Sequence, residues 1–113
     1  MKFLLMKLKF PTKVTIASGG TPQTLSATPL LVTSFSVLWR ATNTGTVYVG
    51  ESDVTANKCF PLSVTTPSFS VAADDSPGSF PQKVYDLNQI YIDGTTNDVV
   101  YIIYSVVSEG RNS

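Results

Sequence analysis

Residues 35–50, FSVLWRATNTGTVYVG, are the stretch whose reading decides the fold. In the first half, Phe35, Val37, Trp39 and Ala41 alternate with Ser36, Leu38, Arg40 and Thr42. A pleated strand turns successive side chains to opposite faces, so this period of two gathers Phe, Val and the single tryptophan on one face. The alternation breaks at Asn43-Thr44-Gly45 and resumes as Thr46-Val47-Tyr48-Val49. Asn and Gly accept the positive φ of a tight turn. The stretch therefore predicts two antiparallel strands joined as the central hairpin of an all-β domain, with Trp39 on the buried face.

Upstream, Pro29 separates Leu30-Leu31-Val32 from a short extended piece at residues 23–27, and Ser18-Gly19-Gly20-Thr21-Pro22 is a loop by composition. Before that loop, Leu4, Met6, Leu8, Phe10, Val14 and Ile16 share one parity, while Lys7, Lys9, Lys13 and Thr15 share the other. A strand with one apolar face must lay that face on something. It is either the first strand of the domain's own core or an arm reaching onto a neighbouring subunit. Pro11 removes a donor in mid-run, which suits an edge strand or a junction between arm and body. The opening MKFLLMKLKF resembles a signal peptide only superficially: its apolar run is too short, Lys7 and Lys9 interrupt it, and no small-residue cleavage site follows. It is also too short to span a bilayer.

Downstream, a polar connection at residues 51–58 holds one helical turn near Asp53, and residues 59–64 predict a short strand carrying Phe60, Leu62 and Val64 on one parity. Further short extended pieces are expected at 69–72, 83–87 and 89–92, with a strong turn at Asp74-Asp75-Ser76-Pro77-Gly78. Tyr91-Ile92 then reads as one arm of a second hairpin, turning through residues 93–98 into VVYIIYSVV at 99–107. That last run is apolar on both parities, the pattern of a strand covered on two faces. It is either central and capped, or its outer face meets another chain; left bare it would be an aggregation hazard. Seven to nine short strands with turn signals between them are the signature of an antiparallel β-sandwich or jelly roll. The domain reading is an extended strand or arm over 1–17 and a single β domain over 18–113.

Composition narrows the chemistry. Lysine and arginine balance aspartate and glutamate at eight each, and charged residues make up 14% of the chain. That is well under the usual quarter or so. No basic field for nucleic acid exists, and a near-neutral surface suits a protein that lives in an assembly. With no histidine, serine–histidine and cysteine–histidine nucleophiles and histidine-containing zinc sites are excluded. Cys59, the single cysteine, reads as a small buried apolar residue. The Asp74-Asp75 pair sits in a turn, where carboxylates serve local backbone bonds. Asp93, Asn97 and Asp98 crowd one loop, either as turn chemistry or as calcium ligands, but they lack the EF-hand order. Val49-Gly50-Glu51-Ser52 is no phosphate loop. Tyrosines 48, 85, 91, 101 and 104 either cover a sheet or make a platform for sugar or a subunit; the charge-poor C-terminal strand favours protein contact. No cofactor, metal or catalytic residue is expected, and no enzyme activity.

The series Ala41-Thr-Asn-Thr-Gly-Thr-Val-Tyr-Val-Gly50, then Asp53-Val54-Thr55, Phe60-Pro61-Leu62 and Tyr85-Asp86-Leu87-Asn88-Gln89-Ile90-Tyr91-Ile92-Asp93-Gly94 resembles a pattern of small virion proteins of tailed bacteriophages. It covers roughly residues 30 to 107, and its motifs are structural. The chain departs from it with Cys59 in place of a glycine and Val64-Thr65-Thr66-Pro67 in place of a Pro-Gly turn. The resemblance implies a β-sandwich that decorates or cements a capsid, or a minor neck or tail component, and it brings no active-site residue.

Together with the low charge and the apolar extended segments, the resemblance implies a structural virion protein, a homo-oligomer on the capsid surface made in the host cytoplasm. Its partners would be copies of itself and the major capsid protein or other virion proteins, with neither nucleic acid nor membrane among them. Leu4, Met6, Leu8, Phe10, Val14, Ile16, Tyr101, Ile103 and Tyr104 are the expected contact residues. A carbohydrate- or receptor-binding module with tyrosines as stacking platforms is the alternative, and a small hydrolase the remotest.

Overall fold

The computed structural model describes residues 3–72 and 84–110, with side chains described from 7 to 72 and from 84 to 106. These residues form an all-β fold. Its strands are β1 (Phe3–Thr15), β2 (Gln23–Thr24), β3 (Leu31–Val32), β4 (Ser34–Trp39), β5 (Val47–Gly50), β6 (Phe60–Leu62), β7 (Ser68–Val71), β8 (Tyr85–Asp86), β9 (Tyr91–Asp93) and β10 (Val99–Gly110). One 3-10 turn, Leu87–Gln89, follows β8; the Asp86 carboxylate caps it by accepting from Asn88 N, and also accepts from Leu30 N. The turn expected at residues 74–78 lies outside the described residues.

Every pairing is antiparallel and every sheet is open. One four-stranded sheet runs β1-β10-β4-β7, a second runs β2-β9-β5-β6, and β3 pairs with β8. Period-two alternation does in both sheets what the sequence implies. Phe35 and Val37 on β4, Val47 and Val49 on β5, and Val100 and Ile102 on β10 are all buried. They join Ile16, Leu25, Val32, Leu62, Leu87 and Ile92 in one hydrophobic cluster that draws on both large sheets. Each such side chain contributes about 1.5–3 kcal/mol by leaving water. Trp39 is half-buried against this cluster.

The two expected hairpins do not form. β4 pairs with β10 and β7, whereas β5 pairs with β6 and β9. Asn43-Thr44-Gly45 therefore carries the chain from one sheet to the other rather than back along a partner. Residues 94–98 do the same between β9 and β10. The reason lies in how the loop donors are used. A two-residue hairpin turn needs positive φ, but the described positive-φ residues are Asn97 (75°) and Gly20 (90°). The Thr44 and Gly45 N–H groups instead donate to the Asp98 carboxylate at 2.9 Å each, joined by the Thr44 hydroxyl at 3.1 Å. Asn43 acts as a stand-in peptide for the first residue of β10: its Nδ2 donates to Val99 O at 2.7 Å and its Oδ1 accepts from Val99 N at 2.8 Å. The indole Nε1 of Trp39 closes the corner on Gly45 O. Ile16 N and Asn97 N complete it by donating to Asp98 O and Ile16 O.

The single apolar face read along β1 is also corrected. Lys9 lies opposite Tyr104 and Thr12 opposite Ile102, so three steps on β1 match two on β10. This β-bulge at Phe10-Pro11, where proline has no N–H to contribute, reverses which parity faces inward. Val14 and Ile16 turn to the core, while Leu8, opposite Ser105, falls on the other side of the sheet. β4 stops pairing at Ser105, but β1 and β10 continue together for five more residue pairs, from Lys7–Val106 to Phe3–Gly110. A two-stranded ribbon about 17 Å long at ~3.4 Å per residue thus leaves the sheet. The radius of gyration, 15.5 Å, accordingly exceeds the roughly 13 Å of a compact chain of this length.

Replacing Asp98 by alanine should unlatch the corner and leave loop donors without an acceptor. A loss of about 2–4 kcal/mol in urea unfolding is expected, with Asp98→Asn intermediate because it keeps one acceptor.

Candidate functional site

Cross-strand register builds the surface that stands out, on the side of the β1-β10-β4-β7 sheet turned away from the core. Directly opposed residues share a face. Ile103 stands opposite Ser36, which stands opposite Ser70; Ser105 lies between Leu8 and Ser34; Tyr101 lies between Lys13 and Leu38. The result is a shallow depression of about 430 Å³ whose lining includes Leu8, Ser34, Ser36, Ser70, Ile103 and Tyr104. Its hydroxyls are turned on one another. Ser34 and Ser105 Oγ atoms are 2.6 Å apart, Ser36 and Ser70 2.8 Å, and Thr33 Oγ1 reaches Ser105 Oγ at 2.8 Å and Ser105 O at 3.2 Å. Hydroxyls paired in this way lose little when water is removed, so the face is less polar than its serines suggest. The half-buried Ile103 and Tyr101 and the 51% exposed Leu8 supply apolar area.

The expected contact residues divide. Leu8, Ile103 and Tyr101 come together on this face, and Phe10, 72% exposed, stands beside it at the bulge. Tyr104 has the inward parity and packs against the core, as do the half-buried Val14 and the fully buried Ile16. Leu4 and Met6 sit on the ribbon opposite Glu109 and Val107, and their side chains lie outside those described. Ser34, Ser36, Ser70 and Ser105 join this face without a motif in the sequence to mark them. Their parity opposite Phe35, Val37 and Phe69 was visible, but only the register places them side by side.

Other candidates resolve into local chemistry. The Asp93 carboxylate accepts from Gly20 N and Gly94 N, so the acidic loop at 93–98 binds backbone donors; among the described residues no cluster of His, Cys, Asp or Glu suits a metal ion. The five tyrosines are all half-buried but sit on different strands and faces, and Tyr85 meets the Phe35 ring edge-on at 5.9 Å. Lys58 pairs with Asp53 at 2.6 Å, which holds the Asp53 carboxyl below and the Lys58 ammonium above their ordinary values; this pair is fully exposed. Cys59 is half-buried, and burial pushes its thiol up.

Compared with known proteins, the chain matches no family model and no curated protein.

Two outcomes follow from this geometry. Leu8→Ser and Ile103→Ser should change stability by no more than about 1 kcal/mol, because neither side chain belongs to the core; thermal unfolding reads this. Because the Cys59 thiolate is scarce at neutral pH, iodoacetamide labelling should speed up about tenfold per pH unit and still be rising at pH 9.

Proposed function

We propose that this protein acts by contact rather than by catalysis, as a decoration or cement component of a phage shell. In this reading the two four-stranded sheets form a β-sandwich of the jelly-roll kind. Copies of the chain and the major capsid protein would meet its outer face. The observation that carries the proposal is that face itself: apolar, low in charge, hydrogen-bonded within itself, and flanked by the exposed Leu8 and Phe10. Interface cores are poor in charge and rich in aromatic and aliphatic groups, whereas large apolar patches on lone soluble proteins are uncommon. The zero net charge and the resemblance of residues 30 to 107 to small virion proteins support the same reading. No substrate, cofactor or reaction is assigned.

The test uses particles assembled without the protein. Purified chain added to them should cosediment and appear as regular density on the shell. The double variant Leu8→Glu/Ile103→Glu, checked for folding by circular dichroism, should bind at least about tenfold more weakly, a change of ~1.4 kcal/mol. A strictly monomeric wild-type chain that stays in the supernatant overturns the proposal.

A further inference from the structure

The long edge strand β1 offers a second contact of a different kind. Among the described strands it is the outermost of its sheet and pairs with β10 alone. At its C-terminal end the Gln23 side chain closes the outer edge, accepting from Ala17 N and donating to Thr15 O. Before that cap no described strand lies alongside it. Residues 7 to 13 are all exposed. The described ion pairs both belong to Lys58, with Glu51 and Asp53, so Lys7, Lys9 and Lys13 have no acidic partner among the described residues. An unpaired edge of this length is a template for another strand; lysines on it discourage indiscriminate pairing, while opposite charges placed across from them favour it.

A second copy fits poorly. A two-fold antiparallel pairing of two β1 edges centred at Leu8 sets Lys7 opposite Lys9, and one centred at Lys9 sets Lys9 opposite itself. Like charges directly opposed across a sheet destabilise it. An acidic strand has the reverse effect. With acidic residues opposite Lys7 and Lys9 and an apolar residue opposite Leu8, it satisfies the edge amides, the two ammonium groups and the exposed leucine together. It would also widen the projecting ribbon, since two-stranded ribbons are marginal alone and three strands are not.

We propose that the outer edge of β1, read by Lys7, Leu8 and Lys9, takes up an extended acidic segment of another polypeptide by strand addition. The inference rests on the contact reading above and names the partner chemistry of one of its surfaces.

The experiment titrates the isotope-labelled full chain with a synthetic peptide of alternating glutamate and valine, following β1 amide shifts and hydrogen exchange. Binding should weaken as salt rises, protect amides along β1, and fall at least about tenfold in Lys7→Gln/Lys9→Gln, since each tenfold is ~1.4 kcal/mol. A peptide with lysine in place of glutamate, or one N-methylated at alternate residues, should not bind. Equal binding of either control, no binding of the acidic peptide, or protection of β1 by self-association alone overturns the proposal. If the peptide fails while particles lacking the protein still take it up, strand addition falls alone. If the peptide binds and the particles refuse the chain, the shell reading falls instead.

Discussion

A single buried carboxylate holds the corner on which this architecture turns. Asp98 is 4% exposed, and its oxygens face two backbone N–H groups and a hydroxyl from the Thr44-Gly45 segment. A carboxylate removed from water is tolerated only where donors replace the lost hydration, and charge-assisted bonds of this kind are among the stronger ones. The constraint works in both directions. The loop is pinned because it solvates the aspartate, and the aspartate is buried because the loop surrounds it. Two inter-sheet passages, β4 to β5 and β9 to β10, are thereby fastened to each other and, through the backbone of Asp98 and Asn97, to Ile16 at the end of β1. Gly94 sits inside the same corner, where an added Cβ would meet Thr46 O at 2.9 Å and Ile16 Cδ1 at 3.0 Å.

From that corner the long strands acquire two different faces. β10 carries Val100 and Ile102 into the core, and turns Tyr101 and Ile103 outward. Its apolar character on both parities is thus divided between holding the sheets together and presenting a surface. The bulge at Phe10-Pro11 does the equivalent for β1, sending Val14 inward and Leu8 outward from one apparently continuous apolar row. A bulge at a sheet edge re-aims side chains, and here it joins the edge strand to the serine-lined face beside it.

The surface that results sets aliphatic groups between hydroxyls that are already paired. Its hydroxyls are engaged with each other across strands, its charges are confined to the lysines of the edge, and its aliphatic groups stand partly open. Contact with another polypeptide recovers apolar burial there at little cost in polar desolvation. The basic edge and the neutral face therefore present different chemistry on adjoining surfaces.

The sequence by itself determined the class and the strands: alternation at 35–39 and 47–49 marked the buried residues, and proline, glycine and asparagine marked the breaks between them. It also set Leu8, Phe10 and Ile103 on apolar rows, and left open whether the domain's own core or another chain covers them. Only the tertiary structure decided which strands pair. Alternation says which way a side chain points but not what lies beside it, so an Asn-Thr-Gly break serves a hairpin or a passage between sheets equally well until a distant carboxylate claims its N–H groups. It likewise decided where the row along β1 changes face. A bulge adds one residue against a partner nearly a hundred positions away, and the mismatch exists only once the two strands lie together.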